Sequence, residues 1–259
     1  MLRKKIETAY TLYRRGGVKN VYEHSRLLWQ IKTKAHKPEV RLSRCKFNLD
    51  RITDFPTKVE LIMNKYEAPE RWAVARYVRQ DLPVVELGGS MGVVACVTNR
   101  LLKNPAAHVV VEANPLVIPQ LEINRALNHC QFEIVNRAIA YGMESVTFRP
   151  SSNVCVSSIK AVGDQAPVTV GTITLRDIVR DHGFTRFNLI CDIEGLEYDL
   201  VGQEMDALKN ADTIILETHA RFIGEDKCRL MMSTLEDVGF RIVKEIGYVV
   251  ILRQSPPHR

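Results

Sequence analysis

Pro83-Val84-Val85-Glu86-Leu87-Gly88-Gly89-Ser90-Met91-Gly92 is the stretch whose reading decides the fold. A short apolar run turns at glycine and passes into the helical-looking Val93–Leu102. That pattern is a buried parallel strand closed by turn residues, followed by a helix. Glycine lets the backbone take positive φ and lets a ligand come close to main-chain atoms, and the new helix offers free N–H groups. The spacing selects the ligand. A dinucleotide fingerprint ending at Gly92 needs glycine at 87 and 89, and residue 87 is Leu, which sets a nicotinamide dehydrogenase aside. No phosphate loop of the NTPase kind is present either. What stands here is acid-x-Gly-x-x-x-Gly, from Glu86 through Gly88 to Gly92. A second apolar run, Val109-Val110-Val111, ends in Glu112. An acid about twenty residues past the glycines takes the ribose hydroxyls in α/β nucleotide folds.

The alternation continues outward. Phe132–Asn136 is a third strand, and Phe187–Cys191 a fourth that exits through Asp192-Ile193-Glu194-Gly195. Ala211–His219 is a fifth, ending in polar residues at the same sheet edge. Asp192 and Glu194 alternate along an extended chain and so share one side. Charges are rarely set at the centre of a sheet without purpose. Asp192, Glu194 and His219 are therefore the candidate chemical groups. Asp226–Val238 reads as a helix, and Gly239–Lys244 with Tyr248–Leu252 as an antiparallel hairpin. Leu61–Arg79 reads as one helix leading into the sheet. Asn114-Pro115 reads as N-cap and first residue of another. Residues 141–173 interrupt the alternation with short strands at Ser145–Phe148 and Val168–Val170. The polar loop between them, Ser151–Pro167, is a candidate substrate lid or a plain connection.

The chain has 259 residues, 46% of them hydrophobic, enough for one large α/β domain with an extension. Its six cysteines are scattered without a C-x-x-C pair, which argues against a zinc knuckle or disulfide framework and for a reducing compartment. No run is long enough to span a bilayer and no signal-peptide core opens the chain, so a cytoplasmic location is expected. Residues 1–60 hold 15 Lys and Arg against 6 Asp and Glu, a charge of +9; the remainder holds 21 against 24, a charge of −3. The first 35 residues read as helix broken at Gly16-Gly17, with Tyr10, Tyr13, Tyr22 and Trp29 among basic residues. Such a segment suits a membrane surface or packing on its own domain.

Glu86-Leu87-Gly88-Gly89-Ser90-Met91-Gly92, Glu112 and Asp192-Ile193-Glu194-Gly195 together resemble the FkbM family of class I S-adenosylmethionine-dependent methyltransferases. Glu86 replaces the usual Asp, Ser90 the usual Asn, and Arg176 the first acid of a later helix start, whereas Asp192–Gly195 matches without departure. The resemblance covers about Leu61 to Leu252. It implies a Rossmann-like three-layer α/β fold, with a mostly parallel seven-stranded sheet ending in an antiparallel hairpin. The implied domain runs over 61–259, behind a basic, mainly helical extension over 1–60.

It further implies S-adenosyl-L-methionine as cofactor. Glu86, Gly88, Gly89, Ser90 and Gly92 would cradle the methionyl part, and Glu112, Ala113 and Asn114 the ribose side. Arg137 and Ala138 would meet adenine. Glu67, in a Tyr66-Glu67 pair the family often carries, would approach the methionine end, or stay a surface carboxylate. Asp192 would border both cofactor and acceptor. The implied acceptor is a hydroxyl of a sugar, glycan or related small molecule, which needs a base because its pKa lies far above 7. Asp192 or His219 is expected as base, with Glu194 orienting the acceptor. No metal is expected, because Asp192 and Glu194 lack a clear third ligand. Two rivals remain: a nucleic-acid methyltransferase or binder using the basic segment, though no Asn/Asp-Pro-Pro-Tyr motif is present, and a non-catalytic protein that keeps the cofactor fold. The oligomeric state is left open.

Overall fold

The structure is a computed structural model and describes residues 38–52, 55–150 and 165–255. The expected helix over residues 1–35, most of the candidate lid (151–164) and the end of the tail (256–259) lie outside the described residues.

The described chain opens with a hairpin, β1 (Glu39–Leu42) and β2 (Cys45–Asn48), turned at Ser43 and Arg44 with positive φ. Helices α1 (Phe55–Ile62) and α2 (Ala68–Tyr77) follow. The single helix expected over Leu61–Arg79 is thus two, a correction with a local cause. Asn64 (φ 60°) and Glu67 (φ 46°) take the left-handed conformation, which ends one helix before Pro69 opens the next. The buried guanidinium of Arg71 fills the break. It donates to the carbonyls of Tyr66 (2.9 Å) and Asn64 (3.0 Å), and to the side chains of Asn64 (2.8 Å) and Ser43 (2.9 Å).

Next come β3 (Val84–Leu87), α3 (Val93–Asn99), β4 (His108–Val111), α4 (Ile118–Leu127) and β5 (Glu133–Val135). Helix α4 begins three residues later than the Asn-Pro reading. Asn114 instead closes a turn, its Oδ1 accepting the N–H of Leu116 at 3.0 Å. The interruption forms a small sheet of β6 (Ala138–Ile139), β7 (Ser145–Phe148) and β8 (Val168–Ile173), in the order β6-β8-β7. Helix α5 (Leu175–Asp181) opens with a capping box between Thr174 and Asp177. Then come β9 (Phe187–Cys191), α6 (Glu197–Gln203), α7 (Met205–Leu208), β10 (Ala211–Glu217), α8 (Ala220–Ile223), α9 (Glu225–Asp237), β11 (Phe240–Ile246) and β12 (Val249–Gln254).

The main sheet has seven strands in the order β11-β12-β10-β9-β3-β4-β5. β3 runs parallel to both β4 and β9, and β10 parallel to β9. β12 alone runs opposite to the rest, slotted antiparallel between β10 and β11. Strand order reverses at β3, so the carboxyl ends of β3 and β9 open the crevice where doubly wound sheets bind ligands.

Alternation along each strand divides the core in two. Val84, Val110 and Ile215 pack with α2, α3 and α4 on one face. Val85, Leu87, Val109 and Leu189 pack with α5, α6 and α9 on the other. Each such side chain, fully buried, contributes roughly 1.5–3 kcal/mol. Leu42, Cys45, Phe47, Leu49 and Ile52 belong to the first core, so the division expected at residue 60 is not a break in packing. Cys45, Cys96, Cys130, Cys191 and Cys228 are free thiols. No helix among the described residues is long and apolar enough to cross a membrane.

Candidate functional site

The bend after β3 is built by close approach. The N–H groups of Gly88 and Gly89 both donate to the Val111 carbonyl, at 2.9 and 3.0 Å, folding the bend toward β4. Gly88 has φ 90°, and a Cβ there would lie 1.7 Å from the carbonyl oxygen of Asp192. Only glycine lets the exits of β3 and β9 touch in this way. Gly92 (φ 81°) starts α3 with its missing Cβ pressed on Leu121. Ser90, also at positive φ, donates its N–H to Oε2 of Glu112 at 2.7 Å, while the N–H of Asn114 reaches Oε1 at 2.6 Å. Glu112 therefore ties the bend to the end of its own strand. Burial raises its pKa against the pull of those N–H groups.

In front of the bend lies a cavity of about 330 Å³ at the carboxyl edge of the sheet. Gly88, Ser90, Glu112 and Ala113 form one wall, with Val117, Arg137 and Ile139 beside them. Asp192, Glu194, Glu217, Arg221 and Tyr248 line it too, as do Tyr66, Glu67 and Glu70, with the Tyr66 hydroxyl 3.3 Å from Ser90 Oγ. Seven carboxyl side chains and two guanidiniums line it, so acidic groups outnumber basic ones on its walls. Burial sets the carboxyls' ionisation first: Glu67 is held well above the carboxylate range, with Glu70 and Glu86 adding to the effect. Glu70 is raised to about 7 by burial and by Glu217.

The exit of β9 carries the candidate chemical groups. Asp192 lines the cavity, with its Oδ1 shut off from solvent and without a hydrogen bond. Burial and then Glu217, Glu194, Glu67 and Glu197 push its pKa well up. Glu194 faces the same cavity, but not through extended alternation. It sits at φ 52° in a turn with Gly195 at φ 102°, a correction to the strand reading with the same outcome for the side chains.

That turn is held by Glu197, which is fully buried. Its carboxylate accepts the N–H of Ile193 (3.2 Å) and of Gly195 (2.9 Å), and Nδ1 of His219 at 2.9 Å. His219 stands behind the acids and is 4% exposed. Its Nε2 is 3.4 Å from Glu194 Oε2, 3.5 Å from Asp192 Oδ1 and 3.7 Å from Glu217 Oε1. Burial works to lower its pKa, but the hydrogen bond and charge of Glu197, with Glu194 and Glu217, outweigh it and raise it. An imidazole so placed is stabilised in its charged form by the acids around it.

Of the expected cofactor residues, Glu67, Gly88, Ser90, Glu112, Ala113, Arg137 and Asp192 line the cavity. Gly89, Gly92 and Asn114 shape it from behind: Gly89 packs on Val110, Gly92 on Leu121, and Asn114 on Glu112. Ala138 is fully buried against Phe148 and Val170, and its strand neighbour Ile139 faces the cavity instead. Glu86 points into the layer below, where its Oε2 lies 3.3 Å from His108 Nε2, and burial holds its carboxyl well above the usual range. Sequence reading missed Glu197, Glu217, Ile139, Arg221 and Tyr248. Glu197 was marked only by its place two residues past Gly195, and Glu217 by ending an apolar strand. Asp192, Glu197 and His219 offer ligand atoms within 4.8 Å of one another, but both oxygens of Glu197 already accept N–H groups.

Residues 86–242, well over half of the chain, match the family model described as a methyltransferase FkbM domain. No curated protein matches the chain. Among solved structures, one similar chain is a protein of the NADB-Rossmann superfamily from Streptococcus agalactiae: 11% identity, TM-score 0.44, 73% of this chain and 69% of that one covered. Another is a precorrin-6y C5,15-methyltransferase from Geobacter metallireducens: 13% identity, TM-score 0.43, 74% and 88% covered. A third is TYW2 from M. jannaschii in complex with AdoMet: 14% identity, TM-score 0.41, 81% and 80% covered. At these values the assignment rests on the family match and on strand order and register.

Proposed function

The chain belongs to the FkbM methyltransferase family, and from that premise we propose that it uses S-adenosyl-L-methionine to methylate a hydroxyl of a sugar, glycan or related small molecule. The single observation that carries the reading is Glu112. Its carboxylate is pinned by the N–H groups of Ser90 and Asn114 at the mouth of the glycine bend, on the cavity wall. The residues fit the cofactor: a carboxylate suits a ribose diol, the bare backbone of Gly88 leaves room at the bend, and the excess of acids complements a sulfonium. When bound, the cofactor supplies a methyl group already activated by positive sulfur.

The protein's own work is orientation, exclusion of water and removal of a proton. Glu112 would hold the hydroxyls of the nucleoside, and Val117, Ile139 and Arg137 would meet its base. Glu67 and Glu70 close the methionyl end. Asp192 takes the proton from the acceptor hydroxyl. A carboxyl whose pKa is pushed upward suits that task, and a positioned base contributes about 10²–10⁴-fold. Glu194, on the same turn, orients the acceptor.

The test is calorimetry with S-adenosylhomocysteine on wild type and Glu112→Ala, followed by mass spectrometry of methyl transfer to a glycan panel and to RNA. Binding by wild type that is lost in the variant, with transfer to glycan hydroxyls, is the expected result. No binding by folded wild type would overturn the cofactor assignment, and transfer to RNA alone would overturn the acceptor.

A further inference from the structure

Glu197 and His219 lie behind the cavity, and hydroxyl methylation as described gives neither a task. Glu197 comes from the start of α6, His219 from the residue that precedes α8, Asp192 and Glu194 from the β9 turn, and Glu217 from the end of β10. Four carboxylates thus converge on one imidazole that is 4% exposed. Both oxygens of Glu197 act as acceptors, so the His219 Nδ1 facing it at 2.9 Å carries hydrogen. The atoms nearest Nε2 are oxygens of Glu194, Asp192 and Glu217, at 3.4–3.7 Å, so a proton on Nε2 faces three acidic side chains. Among the described residues, Glu67 from the break between α1 and α2 also acts on Asp192, and Arg221 on α8 meets Glu194 Oε2 at 3.2 Å from the solvent side. The ring of Phe222 stacks on the imidazole at 6.0 Å and adds no charge.

We propose that Glu197 and His219 are a positioning pair for Asp192. Glu197 fixes the turn and the ring, and His219, as an imidazolium at the centre of the acids, keeps Asp192 ionised and able to accept a proton. This role for Asp192 rests on the hydroxyl-methylation reading; the charge state of the pair does not. An opposite charge within about 4–6 Å lowers a carboxyl's pKa by about 1–3 pH units, which works against the burial and like charges that raise Asp192. His219 therefore acts through Asp192 and does not itself take the substrate proton.

The experiment is long-range ¹H–¹⁵N NMR of ¹⁵N-histidine-labelled full chain across a pH titration, with the His219 signals assigned by their loss in His219→Asn. The wild-type ring is expected to be doubly protonated at pH 7 and to titrate above the ordinary histidine value of about 6.5. Glu197→Gln is expected to lower that midpoint by about one pH unit or more. Glu194→Gln and Glu217→Gln each remove one facing charge, leave the Glu197 clamp intact, and are expected to lower it too. The Asp192 carboxyl carbon, followed by ¹³C NMR, is expected to titrate at higher pH in His219→Asn than in wild type.

A ring that is neutral at pH 7, a midpoint unmoved by all three variants, or equal Asp192 midpoints would each overturn the proposal. S-adenosylhomocysteine calorimetry on the same wild-type sample separates the two readings. Binding with a neutral ring sinks the pair and spares the cofactor assignment. A protonated ring without binding does the reverse.

Discussion

Replacing Gly88 by Ala tests how the site is assembled. The added methyl would stand 1.7 Å from the Asp192 carbonyl oxygen and 2.8 Å from its carbonyl carbon. A carbon and a carbonyl oxygen approach no closer than about 3.3 Å, so the β3 and β9 exits would have to part by about 1.6 Å. Backbone, not a flexible side chain, must move. One hydrogen bond ties those two exits, Asp192 N–H to the Leu87 carbonyl at 2.9 Å, and a second holds the bend itself to β4, Gly88 N–H to the Val111 carbonyl, also at 2.9 Å. Losing each costs about 0.5–1.5 kcal/mol. Holding a residue with Cβ at φ 90° adds roughly 1–2 kcal/mol. The expected total is about 2–5 kcal/mol, a large part of the roughly 5–15 kcal/mol that holds a domain folded. Guanidinium unfolding at constant m gives the stability loss, and S-adenosylhomocysteine calorimetry gives the affinity, expected to fall by at least about tenfold. A Gly88→Ala protein that unfolds at the wild-type midpoint and binds equally well would refute the contact and the role assigned to the bend.

Gly202 in α6 is the contrasting case: a Cβ there meets nothing within 4 Å, so Gly202→Ala is expected to raise stability by roughly 0.5–1 kcal/mol, read as a higher unfolding midpoint. Glu112→Ala leaves the N–H groups of Ser90 and Asn114 without their acceptor and is expected to cost about 1–3 kcal/mol in urea unfolding besides its effect on affinity. His108, fully buried, has its pKa lowered by burial to about 3, so between pH 6.5 and 3 the unfolded chain binds a proton that the native ring refuses. Stability from this residue is present above the unfolded value and is expected to fall by up to about 1.4 kcal/mol per pH unit as acid is added. His108→Phe, which can keep the ring contact with Phe132 5.4 Å away, is expected to flatten that decline when urea midpoints at pH 4.5 and 7 are compared.

The strands were legible because β3, β4 and β9 are short runs buried on both faces and closed by glycine or acid. Glu112, Asp192 and Glu194 were legible for the same reason, since a carboxylate at the end of such a run has to face a crevice. The break between α1 and α2 was not: it depends on Arg71 reaching the carbonyls of residues 64 and 66, and on a bond to Ser43 in the hairpin, which no local window contains. Ala138 and Ile139 exchanged roles because β6 pairs with β8, a partner some thirty residues on, and that pairing sets which side chain faces inward. Glu86 looked like a binding residue from its place before the glycines, yet strand alternation turns it toward His108. The role of Glu197 became visible only when the β9 turn was seen to curl back over the start of α6.

The hairpin of residues 39–48 is seated by side-chain amides of α4 acting as a neighbouring strand would. Asn128 exchanges a pair of bonds with the backbone of Lys46, and Asn124 Oδ1 accepts the N–H of Asn48. The same Asn124 extends its Nδ2 to the carbonyl of Met91, inside the glycine bend, at 2.8 Å. One amide therefore spans from the hairpin to the loop. A displacement that lifts residues 45–48 off the body arrives at Met91 after a single side chain.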